Sequence, residues 1–388
     1  MYPNLYYLFN DLFGINLPFL QALQSFGFML ALSFLAAAWF LKTELKRKAK
    51  EGLIKAEEVT EIIGKPSSFS ELMISAAGGF AIGFKLIGIA LNFQSFVDDP
   101  QSYVFSWQGS WIAGLTLGSV LAYLNYREKE KQRLPEPKMI SSHLFPHQKI
   151  ADITIMAALF GLLGAKLFDN LEHPKEFMAD PLGSLFSFSG LTFYGSLIFG
   201  AGYVIWYCRK HKISIPVMAD SIAPALILAY AIGRIGCQLS GDGDWGIVNL
   251  QPKPSWFILP DWAWSFTYPH NVINDGITMI DCAGKYCNEL PQPVFPTPVY
   301  ETLFSLVIFS FLWFVRKKIK QSGVLFSLYL IFNGLERILI EQIRINVRYH
   351  FLGIQATQAE IIAIILILLG IAGVFFFVRK SNQATQNS

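Results

Sequence analysis

The chain has 388 residues, 53% hydrophobic and 15% charged, with a mean hydropathy of +0.40. Soluble domains carry about 25% charged residues, so a water-soluble globule is excluded and a chain that crosses a bilayer many times is expected. The net charge of +3 is too small, and the lysines and arginines too scattered, for a nucleic-acid binder, and four cysteines are too few for a disulfide scaffold or a repeated CxxC zinc site.

Apolar runs close to the roughly 20 residues that span a bilayer as a helix predict about nine crossings. They fall at 20–41, 72–91, 111–126, 152–171, 191–208, 217–237, 299–315, 324–341 and 360–378. No basic residue precedes the first run, so the start does not read as a cleaved leader. Basic clusters follow alternate runs, at Lys42–Lys48, Arg127–Arg133, Arg209–Lys212, Arg316–Lys320 and Arg379–Lys380. Loops 92–110 and 172–190 are poor in lysine and arginine. The excess of cations in cytoplasmic loops then predicts an outer amino terminus and a cytoplasmic carboxyl terminus. The expected fold is an all-α integral membrane protein with a duplicated helical hairpin.

The duplication shows as an offset of 81 residues that pairs Lys85 with Lys166, Asp99-Pro100 with Asp180-Pro181, and Gly109 with Gly190. Glycines and charges share the register with the apolar positions, which chance similarity between apolar hairpins does not explain. The copies differ where the second has Leu191-Thr-Phe-Tyr194 and the first has Ser110-Trp-Ile-Ala113. The first copy therefore reads as scaffold. The expected segments are 1–41, with the first span; 42–140, an inserted hairpin; 141–237, a core containing the second copy; 238–298, an outer cap; and 299–388, the last spans. Trp256, Trp262, Trp264 and Tyr268 in the cap favour the headgroup level, so the cap is expected to lie partly on the outer membrane surface. Cys282 and Cys287 lie in this cap, and spacing alone leaves them bridged or free.

The stretch Gly233–Gly246 ends an apolar run with Arg234 and continues as a glycine-rich, acidic loop. An arginine in hydrocarbon is costly unless it faces a partner or a wet cavity, and guanidinium grips phosphate with paired hydrogen bonds. Glycines let a ligand or another backbone approach closely. The competing reading is an arginine at a membrane edge followed by an ordinary turn. Further on, Asn333, Arg337, Glu341 and Arg344 form one helical stripe. That stripe is either a locked ion pair or a second grip on the anion that Arg234 would hold. Tyr300 and Glu301 open the seventh run at the level of Arg234, where a lipid headgroup would sit. Lys166 and Asp169, three apart, read first as a mutually neutralising pair, with a phosphate contact for Lys166 as the second reading. Tyr194 at the start of the fifth run reads, taken alone, as an interfacial anchor.

Together these segments resemble the bacterial prolipoprotein diacylglyceryl transferases. Asp220-Ser-Ile-Ala-Pro224, Gly233-Arg-Ile-Gly236 and Gly241-Asp-Gly-Asp-Trp-Gly246 resemble the family signature. Phe177–Pro181 leading to Gly190–Gly195, Pro296-Thr-Pro-Val-Tyr-Glu301 and Arg337–Arg344 resemble three further family segments in the same order. The resemblance covers about residues 150 to 345 and the first span. It implies an enzyme of the bacterial plasma (inner) membrane that moves the diacylglyceryl group of phosphatidylglycerol to the lipobox cysteine thiol of a prolipoprotein signal peptide. A thioether forms and glycerol phosphate leaves, with no cofactor and no metal.

Carried onto this chain, the resemblance implies catalytic parts for Arg234, Arg337 and Tyr194. It implies substrate contacts for Gly233, Gly236, Cys237, Asp242, Gly246, Lys166, Tyr300, Glu301, Asn333 and Glu341. The departures are Tyr194 where the family has histidine, Cys237 where it has asparagine, Phe26-Gly27 for a Tyr-Gly, and Asn333 for a tyrosine. A phenol of pKa about 10 is a poor base at neutral pH, so Tyr194 is expected to orient substrate or to leave thiol deprotonation to the arginine field. The rival readings are a catalytically silent lipid-binding relative and a transporter of an anionic substrate.

Overall fold

The computed structural model describes residues 1–388 except 187–191, 283, 347, 352–353 and 387–388. Ser189–Leu191, part of the segment before Tyr194, therefore lie outside the described residues. The long helices are α1 (Ser25–Lys50), α2 (Phe69–Leu91, with a π-helical turn at Gly83–Ile87), α3 (Trp111–Lys131) and α4 (Ile150–Glu172). They continue with α5 (Phe193–Lys210), α6 (Ile215–Ser240), α7 (Thr297–Val315), α8 (Val324–Glu341) and α9 (Gln358–Gln386). Among the described residues, α1, α2, α4, α6, α7 and α9 are long and apolar enough to cross a membrane. The protein is thus an integral membrane protein built mainly of helices.

Among the described residues, three two-stranded antiparallel ribbons add to the expected all-helical fold. They are β1 (Glu57–Ile63) with β2 (Lys138–Leu144), β3 (Ile277–Thr278) with β4 (Asn288–Glu289), and β5 (Arg348–Phe351) with β6 (Ile354–Thr357). All lie in segments between the apolar runs, where hydrophobic periodicity carries too little signal to reveal them. The short helix Leu5–Phe13 is also absent from the sequence reading; Asn4 caps its first turn and Gly14, at φ 65°, ends it.

By its internal packing the chain divides into two compact units, Met1–Lys55 with Lys149–Thr154 and Ile205–Ser388, and Ala56–Gln148 with Ile155–Val204. In the first unit α6 packs against α1, α7 and α8, and α8 packs against α9. Ile227, Ile308, Leu312 and Leu325 form its apolar centre. Small residues bring these helices close, as expected where no water drives association. A Cβ on Gly236 would stand 3.0 Å from the Met29 side chain, and one on Gly334 would stand 2.7 Å from the Ala363 carbonyl.

The register of α8 against α6 is set by one carboxylate. Helix α8 starts at Gly323, which has φ 100° and no side chain to cap the exposed N–H groups. Asp220 of α6 supplies the missing acceptors: its oxygens accept from Gly323 N and Phe326 N, both at 2.8 Å. Lys48 of α1 lies 3.8 Å from the same carboxylate and donates to the Val217 carbonyl at 3.0 Å. Beside this cap, buried Glu44 pairs with Arg47 and with Arg316. One end of the bundle is therefore locked by charges and backbone groups.

The opposite end carries the cap. Its core is Trp245, Tyr268, Leu290 and Val294, with Met1 and Phe266 against it. The Met1 ammonium donates to the Pro269 carbonyl at 2.7 Å, and Tyr2 N to the Leu239 carbonyl at 2.7 Å. The amino terminus thus sits on the cap side. Cys282 and Cys287 are joined by a disulfide, which resolves the alternative that spacing left open.

In the second unit the two hairpin copies repeat each other in geometry as well as sequence. Lys85 donates to the carbonyls of Tyr103, Ser106 and Gln108 at 2.8, 2.6 and 3.0 Å. Lys166 donates to the Ser184 carbonyl, the counterpart of Tyr103, at 3.2 Å. Asp99 caps the backbone of Ser102 at 3.0 Å, and Asp180 caps that of Gly183 at 2.9 Å. Both copies thus carry a lysine bonded to backbone carbonyls and the same aspartate-capped turn, with Lys166 buried and Lys85 half-buried.

Candidate functional site

Three guanidinium groups converge where the cap meets α6, α7 and α8. Arg234, in the last two turns of α6, puts Nε 2.8 Å from Oε2 of Glu301 and pairs through Nη1 with Asp244. Arg337 of α8 reaches Oε1 of Glu301 at 3.4 Å and Oε2 of Glu341 at 3.3 Å. Arg344, just past the end of α8, reaches Oε1 of Glu301 at 3.0 Å and pairs with Asp244 through its other terminal nitrogen. Glu301, on the second turn of α7, is 0% exposed. A carboxylate so buried is tolerable only with close cationic partners, and three arginines provide them.

Backbone crossings hold these groups in register. Gly246 and Arg344 form an isolated antiparallel bridge, with Gly246 N on the Phe295 carbonyl and Ile247 N on the Ile343 carbonyl, each at 2.8 Å. A Cβ on Gly246 would stand 2.4 Å from the Ile343 carbonyl oxygen, so only glycine lets the two strands cross there. Thr297 donates to the Asp244 carbonyl at 2.6 Å. The Arg234 guanidinium lies 4.9 Å from the centre of the Tyr230 ring, within reach of a cation–π attraction.

The two loop acids behave differently. Burial pushes the Asp242 carboxyl up and the neighbouring Asp244 charge adds to this, against a hydrogen bond with Cys237 that acts the other way. Burial also acts to raise Asp244, but Arg234 and Arg344 outweigh it and hold this carboxyl below its ordinary range. Cys237 is buried and accepts a long contact, 3.8 Å, from Arg234. Cys237, Asp242 and Asp244 lie close enough together for a cation, but the Arg234 and Arg344 charges on Asp244 oppose one.

Of the expected site residues, Arg234, Arg337, Glu301 and Glu341 come together in one cluster. Asp242 and Cys237 lie at its edge. Gly236 and Gly246 serve close backbone packing, and Gly233 has open space where a Cβ would be. Tyr300 turns to the cap: its hydroxyl donates to the Ala263 carbonyl at 2.8 Å. Asn333 is half-buried on α8, one turn before Arg337. Tyr194, edge-on to Phe193 in the first turn of α5, and Lys166 belong to the second unit. Sequence reasoning misses Asp244 and Thr297 as site residues, and it places Arg344 on the α8 stripe without giving it a part. Two acids in one loop and a third arginine on the α8 stripe were the available signals; neither says which acid faces the cations.

The sequence profile described as prolipoprotein diacylglyceryl transferase matches residues 110–376. The chain belongs to that family. Among relatives of the family, the phosphatidylglycerol–prolipoprotein diacylglyceryl transferase of Dehalococcoides mccartyi strain 195 is 27% identical over 245 residues, covering 62% of this chain and 82% of the relative. The enzyme of the same name from Bifidobacterium longum subsp. infantis is 28% identical over 236 residues, 57% of this chain and 68% of the relative. That of Corynebacterium glutamicum is 27% identical over 242 residues, 61% and 72% respectively. The prolipoprotein diacylglyceryl transferase match takes in the whole arginine cluster, with α6, α7 and α8, and runs into α9.

Proposed function

We infer that the protein is a phosphatidylglycerol–prolipoprotein diacylglyceryl transferase that acts in lipoprotein maturation. The observation that carries the reading is the convergence of Arg234, Arg337 and Arg344 on the buried Glu301, inside the segment shared with the family. Such a fixed set of cations suits a reaction whose leaving group is a phosphate monoester, because preorganised charge in a dry site stabilises charge that develops in the transition state. Arg344 Nε is buried and has no hydrogen-bond partner among the described residues. One donor of the cluster thus remains available to an incoming anion.

In the reaction, the sulfur of the lipobox cysteine bonds to the glyceryl carbon that carried the phosphate ester. The bond from that carbon to the ester oxygen breaks, and the electron pair leaves with glycerol phosphate. The thiol proton passes to water as the thiolate forms, and a thiol of pKa about 8.5 gives it up more readily in a positive field. Arg234 and Arg337 hold the phosphate, and Asp242, Cys237, Gly233 and Asn333 complete the wall around it; for Tyr194 and Lys166, a part in orienting substrate is what the family resemblance implies. Gly236, Gly246, Tyr300, Glu301 and Glu341 keep the arginines and the cap in position.

The orientation we propose has nine crossings in the bacterial inner membrane, with the cap and amino terminus outside and the carboxyl terminus in the cytoplasm. The alternation of basic loops supports it. The Cys282–Cys287 bridge supports it independently, since disulfides persist in oxidising compartments. The test is direct: purified protein, phosphatidylglycerol and a lipobox peptide are incubated and the peptide is weighed by mass spectrometry. The reading requires a diacylglyceryl adduct on the cysteine. Lipid binding without that adduct would leave the silent-relative reading in its place.

A further inference from the structure

The cap carries a built structure that the transferase reading does not use. Residues 249–265 leave the core, reach a tip at Trp256-Phe257-Ile258 and return. The base is stapled: Asn249 Nδ2 donates to the Trp264 carbonyl, Trp264 Nε1 to the Gln251 carbonyl, and Ser265 Oγ to the Asn249 carbonyl, each at 2.8 Å. Lys253 closes the middle, donating to the Leu259 carbonyl at 3.2 Å and pairing with Asp261 at 2.5 Å. Phe257 N turns back on the Pro254 carbonyl at 3.0 Å, and Pro252, Pro254 and Pro260 stiffen the rest. This is a rigid finger.

Its tip points large apolar groups outward. Trp256 is 71% exposed and Ile258 is 94% exposed. Phe257, between them, packs inward, 5.1 Å from the Trp264 ring and 6.4 Å from the Tyr300 ring. Tyr300 stands in the first turn of α7, and its hydroxyl holds the finger at the Ala263 carbonyl. From Tyr300 the outward stripe of α7 continues through Phe304, Val307, Phe311 and Phe314, all exposed at helical spacing. In a membrane-spanning helix such a stripe is the face that meets lipid. The finger therefore sits at the top of a lipid-facing stripe and continues it.

We propose that the finger at residues 252–262 dips into the outer-leaflet interface and docks the cap on the bilayer, with Trp256 and Ile258 as the inserted groups. Tryptophan favours the headgroup level, where an apolar ring and a hydrogen-bonding edge are both satisfied. Preformed rigidity lowers the entropy lost when the tip binds. The inference rests on the membrane-spanning architecture and, for the choice of leaflet, on the proposed orientation; it stands apart from the transferase chemistry. Ile280, 92% exposed beside the Cys282–Cys287 bridge, is an internal contrast, because among the described residues no ring network joins it to the top of a span.

The test uses the full chain in phosphatidylglycerol-containing proteoliposomes. Nitroxides are attached at Ile258→Cys, Ile280→Cys and Val307→Cys; the native free thiols, Cys208 and Cys237, are buried. Collision with oxygen, which concentrates in lipid, is compared with collision with a water-soluble nickel chelate. The expected result is that position 258 favours oxygen as 307 does, whereas 280 favours the chelate. A position 258 as open to the chelate as 280 overturns the proposal. So does shielding of 258 that appears only on adding a precursor peptide, or only at high protein-to-lipid ratio, since the occupant would then be a peptide or a second copy. As a check without cysteine variants, lipids brominated near the headgroup should quench a fraction of tryptophan emission that disappears in Trp256→Phe. An unchanged quenched fraction also overturns it.

Discussion

Arg234 and Arg337, carried by different helices, meet the two oxygens of a single carboxylate: Glu301 receives the first at Oε2, 2.8 Å away, and the second at Oε1, 3.4 Å away. Neither arginine is aimed at lipid or at the far end of the bundle. Glu301 fixes the distance between two charges that the chain brings together from more than a hundred residues apart. A phosphate arriving at the cap side would then meet guanidiniums already in place, with little reorganisation required.

The two arginines should therefore fail alike. Arg234→Ala or Arg337→Ala is expected to lower the turnover of the lipobox peptide by roughly two to three orders of magnitude, as when a transition-state donor is removed. Thioether formation by the purified variants measures this. Near-normal turnover in both would remove the phosphate grip from the mechanism.

Asp244 stands between that grip and the outside. Its side chain is 32% exposed, whereas those of Glu301 and Glu341 are 0% exposed, and it holds both Arg234 and Arg344. Three arginines already face three carboxylates, so a lipid phosphate competes with an internal anion, and Asp244 is the most accessible of them. Asp244→Asn should lower the KM for phosphatidylglycerol while kcat changes little. A fall in kcat at constant KM would mean instead that Asp244 aims the arginines. The same carboxyl also sets a pH response. Its pKa in the folded protein lies below the ordinary value, so it binds protons less readily folded than unfolded, and its stabilising effect is present above about pH 3.9 and fades as pH falls below that. Thermal melts of Asp244→Asn should show a flatter acid limb than the parent.

Asp220 lies at the other end of α6 and acts through geometry. Without it, Gly323 N and Phe326 N lose their acceptors and Lys48 loses its nearby carboxylate. Breaking a buried pair from one side costs about 3–5 kcal/mol. Asp220→Ala should lower the melting temperature in detergent and reduce activity with it, because α8 carries Arg337. Asp220→Asn, which keeps one acceptor oxygen, should recover part of both. An unchanged melting temperature in Asp220→Ala would show that α8 is positioned by other contacts.

The transmembrane helices were legible because apolar runs of membrane length leave few alternatives; the runs at 217–237 and 299–315 correspond to α6 at Ile215–Ser240 and α7 at Thr297–Val315. The arginines were legible because charge in such runs is costly. What escaped was pairing. Nothing in the order of residues says that Asp244, rather than Asp242, bridges Arg234 to Arg344, or that Tyr300 turns to Ala263 while its neighbour Glu301 turns to the arginines. Adjacent residues on a helix point about 100° apart, and only the packed neighbours decide which one faces the site. The ribbons and the finger escaped for another reason: they are short, polar or proline-rich, and their partners are distant in sequence.

The disulfide offers a check on orientation. If the cap faces the oxidising side, Cys282 and Cys287 in intact cells should react with a membrane-impermeant maleimide only after mild reduction. Cys208 and Cys237, both buried, should stay unlabelled in either case. Labelling without reductant would show the pair to be unbridged, and labelling that needs broken cells would reverse the proposed topology. Closing so short a loop, with a separation of five residues, is worth about 2 kcal/mol on chain-entropy grounds. The double serine variant should accordingly fold and retain the arginine cluster.

The duplicated hairpin allows the two lysines to be compared directly. Lys85 is committed to the three carbonyls of Tyr103, Ser106 and Gln108, and the helix that carries it, α2, lies outside the stretch matched by the family profile. Lys166 keeps the equivalent carbonyl contact at Ser184, but its copy leads on to Tyr194. If duplication left one copy as scaffold and the other in service, Lys85→Ala should weaken its own hairpin and leave turnover almost intact. Lys166→Ala should lower turnover as well as stability. Hydrogen exchange across residues 103–108 would report the first effect and thioether formation the second. Equal losses of turnover in the two variants would mean that both copies serve the reaction and that the first hairpin is more than scaffold.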